Sequence, residues 1–115
     1  MRDFRKLTIW TKGHALTLKI YALTKSYPKV ETFGLVSQMR RSAYSIPSNI
    51  AEGCGRNSIP DFKRFLTIAA GSSSELEYQL FLSKDLDYIA EPVFKELQME
   101  IIEIKKMIFS FSNKL

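Results

Sequence analysis

Four stretches of this chain repeat apolar residues at alternating intervals of three and four, and no stretch alternates with a period of two. The first seam is Ile9, Gly13, Leu16, Ile20, Leu23 and Tyr27, with Trp10, Thr17, Tyr21 and Thr24 in a row beside it. The second is Val36, Met39, Ala43, Ile46 and Ile50. The third is Phe62, Leu66, Ala69, Ser73, Leu76 and Leu80, and the fourth is Phe94, Leu97, Ile101, Ile104, Ile108 and Phe111. Such spacing keeps each set on one face of an α-helix. The pattern predicts helices over about 8–26, 33–53, 59–88 and 92–112.

Local punctuation sharpens these limits. Pro28 forces Tyr27 out of the helical region, and Thr32 can cap the second helix. Gly53 and Gly55 can close that helix in the left-handed conformation. Ser58 can cap the third helix, with Pro60 in its first turn and Asp61 three residues on from the cap. Glu91–Pro92 opens the fourth. Rods of ~30–45 Å joined by short connections predict an all-α, antiparallel up-down-up-down four-helix bundle forming a single domain over residues 1–115.

Two places strain a regular helix. Pro47 sits inside the second seam, removes one ladder hydrogen bond and crowds the Ala43 carbonyl, at ~3 kcal/mol in a regular helix. A kink or short break is expected there, with Ser42, Ser45, Ser48 and Asn49 placed to bond the freed backbone groups. The third helix carries Ala69, Ala70, Gly71, Ser72, Ser73 and Ser74 in its middle, poor helix formers in part. Small residues there would let a neighbouring helix approach, with the Pro47 kink as the expected place.

With 115 residues, 45% hydrophobic and 25% charged, the chain suits a soluble globular protein with a core of its own. A lone cysteine, Cys54, excludes an internal disulfide and fits a cytoplasmic location. The opening MRDFRKLTIW has basic residues but no apolar run after them, and nothing approaches the ~20 apolar residues of a membrane span. The net charge is +5, distributed as +8 over residues 1–64 (12 Lys/Arg, 4 Asp/Glu) and −3 over 65–115 (5 Lys/Arg, 8 Asp/Glu). Either a basic face meets a polyanion or the two halves attract each other. Trp10, Tyr21, Tyr44, Phe65, Phe81, Ile102 and Phe109 exceed what one internal seam needs, which predicts a homo-oligomer.

Catalytic and metal chemistry find little support. The single histidine, His14, has no Glu three residues before it, and Glu75, Glu100 and Glu103 lack the histidines a di-iron bundle needs. Cys54 lies at a helix C-terminus, which works against a thiolate, so a structural role is expected. Gly53-Cys54-Gly55 follows a helix and lacks the Walker lysine. No enzyme activity, cofactor or metal is expected. The remaining signal is cationic: Arg40, Arg41, Arg56, Lys63 and Arg64, the last three near a helix N-terminus, are candidates for phosphate contact. Tyr44, one turn from Arg40 and Arg41, could stack on a base or a guanidinium. Alternatively, Arg40 or Arg41 pairs with Glu75 or Glu77 across the bundle, and Glu52 pairs with Arg56. On this reading Glu52, Asn49 and one arginine are structural, and Lys63, Arg64 and Arg56 are the freer charges.

Gly34-Leu35, Gln38, Arg40-Arg41, the run from Ser45 through Pro47 and Asn49 to Glu52-Gly53, Arg56, Phe65-Leu66, Ala69, Gly71-Ser72 and Glu75-Leu76-Glu77 form a pattern. It resembles the bacterial four-helix-bundle proteins encoded in intervening sequences of 23S ribosomal RNA genes, also labelled S23 ribosomal proteins. The resemblance runs from Phe4–Trp10 to Tyr88; the last helix matches only in apolar period, and Cys54 is outside the pattern. It implies an antiparallel bundle assembled as a ring-shaped homopentamer. A group similar in fold, the accessory variability proteins of diversity-generating retroelements, has a basic surface that binds nucleic acid and a reverse transcriptase. The ribosomal label reflects gene location. The expected function is a non-enzymatic, oligomeric accessory protein that binds RNA or DNA through a basic surface; the alternative is a scaffold or adaptor ring for another protein. No membrane partner is expected.

Overall fold

All four apolar seams face one another. The computed structural model describes residues 2–115, and among them places α1 (Thr8–Thr24), α2 (Ser37–Cys54), α3 (Ile59–Asp85) and α4 (Glu91–Asn113), with no strand. Leu16, Ile20, Met39, Ile46, Ile50, Leu66, Leu76, Leu80, Ile101 and Ile108 are fully buried in one continuous core. Leu23 and Phe111, at the ends of their seams, are half-buried against it. Each buried aliphatic side chain contributes roughly 1.5–3 kcal/mol relative to exposure, so this core holds the helices together.

Consecutive helices are neighbours, and α1 and α4 meet along a thinner seam that closes the bundle. Cross-helix contacts pair rising numbers with falling ones, the register of antiparallel neighbours. Thr17 meets Ala43 while Thr24 meets Arg40. Ser42 meets Glu75 and Ser45 meets Ser72. Phe81 packs on Phe94 and Lys105 bonds Ser74. The result is a rod of 43 × 24 × 19 Å.

α2 runs from Ser37 to Cys54 without interruption at Pro47, so no break occurs there. The Ala43 carbonyl, deprived of its donor four residues on, accepts instead from the Thr17 hydroxyl of α1 at 3.1 Å. That hydroxyl also lies 2.8 Å from the Gly13 carbonyl and shares its one proton between the two. The serines near Pro47 serve elsewhere: Ser42 donates to Glu75 and Ser45 bonds Ser72. The close neighbour of Pro47 is likewise α1, not the small-residue stretch of α3. A Cβ on Gly13 would stand 3.2 Å from Ile46 Cγ2 and 3.5 Å from Pro47 Cδ, whereas one on Gly71 would meet open space.

The helix ends differ from the sequence expectations for physical reasons. α1 stops at Thr24, where i to i−3 bonds from Lys25, Ser26 and Tyr27 tighten the last turn before Pro28. The connection enters α2 through a π turn, Thr32–Val36, in which Gly34 leaves helical geometry (φ −114°, ψ −109°). Its cap is the Glu31 carboxylate, which accepts from the Leu35 N–H at 3.2 Å, rather than Thr32. The other carboxylate oxygen of Glu31 accepts from the Tyr88 hydroxyl at 2.8 Å, and that bond raises the Tyr88 pKa above the usual phenol range. Ser58 caps α3 by accepting from the Asp61 N–H. α3 ends at Asp85, not 88, in a Schellman motif: the Tyr88 N–H reaches the Ser83 carbonyl and the Asp87 N–H the Lys84 carbonyl. Asp87 takes the left-handed conformation there, φ 62°, while no described glycine has positive φ, so neither Gly53 nor Gly55 closes α2 in that way.

The shared proton of Thr17 yields a double-mutant prediction. Thr17→Val keeps the shape but strands the Ala43 carbonyl, at ~1–3 kcal/mol. In a Pro47→Ala background the backbone N–H restored at that position serves the carbonyl, so the same substitution costs less. Urea unfolding of the four variants should give a coupling of about 1 kcal/mol; additivity would show that Thr17 does not serve that carbonyl.

Candidate nucleic-acid interface

The α2–α3 connection brings Arg56 and Arg64 together around one aromatic ring, and Lys63 precedes Arg64 in the first turns of α3. Phe65 is buried, contrary to its expected outward position, because two guanidiniums cover it: Arg56 at 4.7 Å and Arg64 at 4.4 Å from the ring centroid. Asp61 binds the same pair, Arg64 at 3.0 Å and Arg56 at 3.5 Å, and Glu52 adds a contact to Arg56 at 3.4 Å. Arg56 and Arg64 are therefore not the freer charges. The cause is local: the first turn of α3 puts Asp61 one turn from Arg64 and beside the chain leaving α2. Among the described residues Lys63 has no ion-pair partner and is half-buried.

Gly53 sits under this clasp. A Cβ there would lie 2.7 Å from Phe62 Cδ1 and 3.1 Å from the Cβ of Phe65. The glycine is thus required by the close approach of α2 to the first turns of α3. Asn49 sits one turn earlier, where its amide donates to the Ser45 carbonyl at 2.7 Å and lies 2.9 Å from the Ser45 hydroxyl. Beside Gly53, Cys54 is buried, and burial pushes its thiol pKa up.

The other two candidate arginines diverge. Arg40 turns toward α1, donating to Thr24 Oγ1 at 3.0 Å and to the Tyr21 carbonyl at 3.3 Å, with its guanidinium 4.6 Å over the Tyr21 ring. Its aromatic partner is Tyr21 and not Tyr44. Arg41 is exposed and has no ion-pair partner among the described residues. Neither arginine pairs with Glu75 or Glu77, which bond Ser42 and the Lys105–Gln98 pair respectively.

Attraction between the two halves is real but confined to one seam. Lys12 pairs with Glu103 and Lys19 with Glu100, both at 2.9 Å, where α1 meets α4. Hydrogen bonding to Glu100 raises the Lys19 pKa. On the opposite side α1 faces α2 across a groove of about 530 Å³. Its lining includes Phe4, Trp10, His14, Leu18, Tyr21 and Tyr44. Trp10, Tyr21 and Tyr44 stand out in the sequence as apolar excess; that they line one groove depends on the α1–α2 packing. Among the described residues no three His, Cys, Asp or Glu side chains are grouped to hold a metal ion, and no helix is long and apolar enough to cross a membrane.

Fold and surface together define a small helical bundle with clustered arginines and an aromatic groove. The model of the 23S rRNA-intervening sequence protein family matches residues 5–110, and the chain belongs to that family. A solved structure from Bacteroides thetaiotaomicron, described as a protein with unknown function from the S23 ribosomal protein family, superposes with a TM-score of 0.82. It shares 27% identity over 91% of this chain and 98% of its own. No curated protein matches the sequence.

Two glycine substitutions should move stability in opposite directions. Gly53→Ala gains helix propensity but drives a methyl into Phe62 and Phe65, for a net loss of ~1–2 kcal/mol. Gly71→Ala gains propensity in open space, for about 0.5–1 kcal/mol of added stability. Thermal or urea melts of the two variants check the contrast; equal shifts would refute the close approach at Gly53.

Proposed function

We propose that this chain is the protomer of a homo-oligomeric ring, a pentamer, that binds RNA or DNA through phosphate contacts and carries out no catalysis. The observation that supports the reading best is the charge layout. α1 contains no carboxylate and α2 contains only Glu52, while Arg41 and Lys63 lack ion-pair partners among the described residues. A surface so poor in negative charge attracts phosphates without distinguishing sequence. Repetition around a ring multiplies a weak site through effective concentration.

Assembly is supported by apolar side chains left in solvent on the other half of the bundle. Tyr78 on α3 is 62% exposed and Met99 on α4 is 72% exposed, with Phe81 and Phe109 nearly half exposed. A ring closes when such a face meets a different surface of the next copy. A second reading, a scaffold for another protein, is favoured by Phe33, 96% exposed on the α1–α2 connection beside exposed Val30. A pull-down that survives nuclease treatment would support it.

Mobility shift over a salt series tests the phosphate reading. The log of affinity should fall steeply with the log of salt concentration. Arg41→Ala with Lys63→Ala should flatten the duplex slope by ~2 units, about one per lost phosphate contact. Arg56→Ala and Arg64→Ala are poorer probes because both uncover Phe65. Affinity indifferent to salt would count against the proposal.

Sedimentation at micromolar concentration tests the assembly. The native chain should travel as a multimer, and Tyr78→Glu with Met99→Glu should release helical monomers. A native chain that sediments as one copy would refute the ring.

A further inference from the structure

We infer that the α1–α2 groove binds unpaired bases of a single-stranded nucleic acid, its rings stacking the bases while arginines at its two ends hold phosphates. The inference rests on the phosphate-binding reading and narrows it to a ligand with free base faces.

The groove supplies flat apolar surface. Trp10 and His14 lie parallel, 7° apart with centroids separated by 5.0 Å, and Phe4 leans on Trp10 at 4.9 Å. Tyr21 and Tyr44 are 37% and 46% exposed and line the same space from opposite helices. From Trp10 to Tyr21 the helix rises ~16 Å, enough to follow a few nucleotides. Every base has a π face, so a row of rings takes single strands without strong sequence preference, whereas bases inside a duplex have their faces covered.

Charge separates this groove from an ordinary apolar cleft. No carboxylate lines it. At one end the Arg40 guanidinium lies over Tyr21. At the other, Phe4 and Ala51 continue into a neighbouring depression lined by Arg2 and Arg5. Asp3 lies there as well but is bound to Arg5 at 3.1 Å. An apolar peptide would leave Arg2 and Arg40, which have no ion-pair partner among the described residues, without a counter-charge. A nucleotide strand satisfies rings and cations together, because its phosphates alternate with its bases.

Trp10 is the chain's only tryptophan, so its fluorescence reports the groove directly. The full-length protein is titrated at low salt with short single strands of RNA and of DNA, and with a duplex of the same length. Binding is followed separately by anisotropy of a label on the nucleic acid. Single strands should quench Trp10 and the duplex should not. Tyr44→Ala should weaken single-strand binding about tenfold, the loss of one stacked base, with Tyr44→Phe near native and duplex affinity unchanged. The RNA and DNA arms show which sugar the strand carries. If nucleic acid binds with Trp10 unquenched and Tyr44→Ala neutral, the groove assignment fails while the phosphate reading stands. If nothing binds at low salt, both fail. If Trp10 emission changes on dilution of the protein and not on adding strands, a second copy covers the groove and the inference is overturned.

Discussion

The bundle depends on how one proline is accommodated. Pro47 cannot donate to Ala43, and a buried carbonyl without a donor costs roughly 1–3 kcal/mol. The donor comes from another helix, through Thr17 of α1, and it arrives only because Gly13 lets the two backbones close to within contact of Ile46 and Pro47. The bond fixes the register of α1 on α2, since a slide of one residue would carry the hydroxyl away from the carbonyl. It also sets which sides of the two helices diverge. Leu16, Ile20, Met39 and Ile46 fall to the core, and Trp10, Tyr21 and Tyr44 fall to the groove.

The seams were legible because burial repeats at the helical period whatever the partner. Residues of all four sets lie in the core, and the only looser members, Leu23 and Phe111, are near helix ends where packing is incomplete. What spacing could not reveal were solutions that cross the fold. Serines near Pro47 are its neighbours in sequence, yet the Ala43 carbonyl finds its donor 26 residues away. Thr32 has the residue type of a cap, but Glu31 is held by Tyr88, 57 positions on, and so takes that role. Asp87 closes α3 in a conformation more often given to glycine, while Gly53 serves close packing inside its helix.

The cations show the same division between local and distant. Their grouping at the α2–α3 connection follows from short spacing in sequence, and so does the Glu52–Arg56 contact. Their state does not. Asp61 stands one turn from Arg64, and the same spacing that gathers the arginines gathers their counter-charge. Phe65 then turns what looked like an outward ring and two free charges into one closed stack. Arg41 escapes because no carboxylate precedes or follows it within a turn on α2, and because Glu75 and Glu77 are already engaged.

The charge asymmetry of the chain is therefore spent unevenly. Lys12 and Lys19 are neutralised along α4 by pairs that remain in reach of solvent, and such pairs contribute little stability. Their value lies in alignment: they hold the thinnest helix–helix seam in one arrangement and leave the opposite side of α1 without charge of either sign. That side could have been an ordinary apolar surface. Instead it carries rings, and charge gathers at its two ends, Arg40 at one and Arg2 with the Arg5–Asp3 pair at the other. A helix that discharges its lysines toward one neighbour and shows rings beside the other divides closure of the bundle from contact with a ligand. The Gly13–Thr17–Pro47 contact keeps those two sides apart.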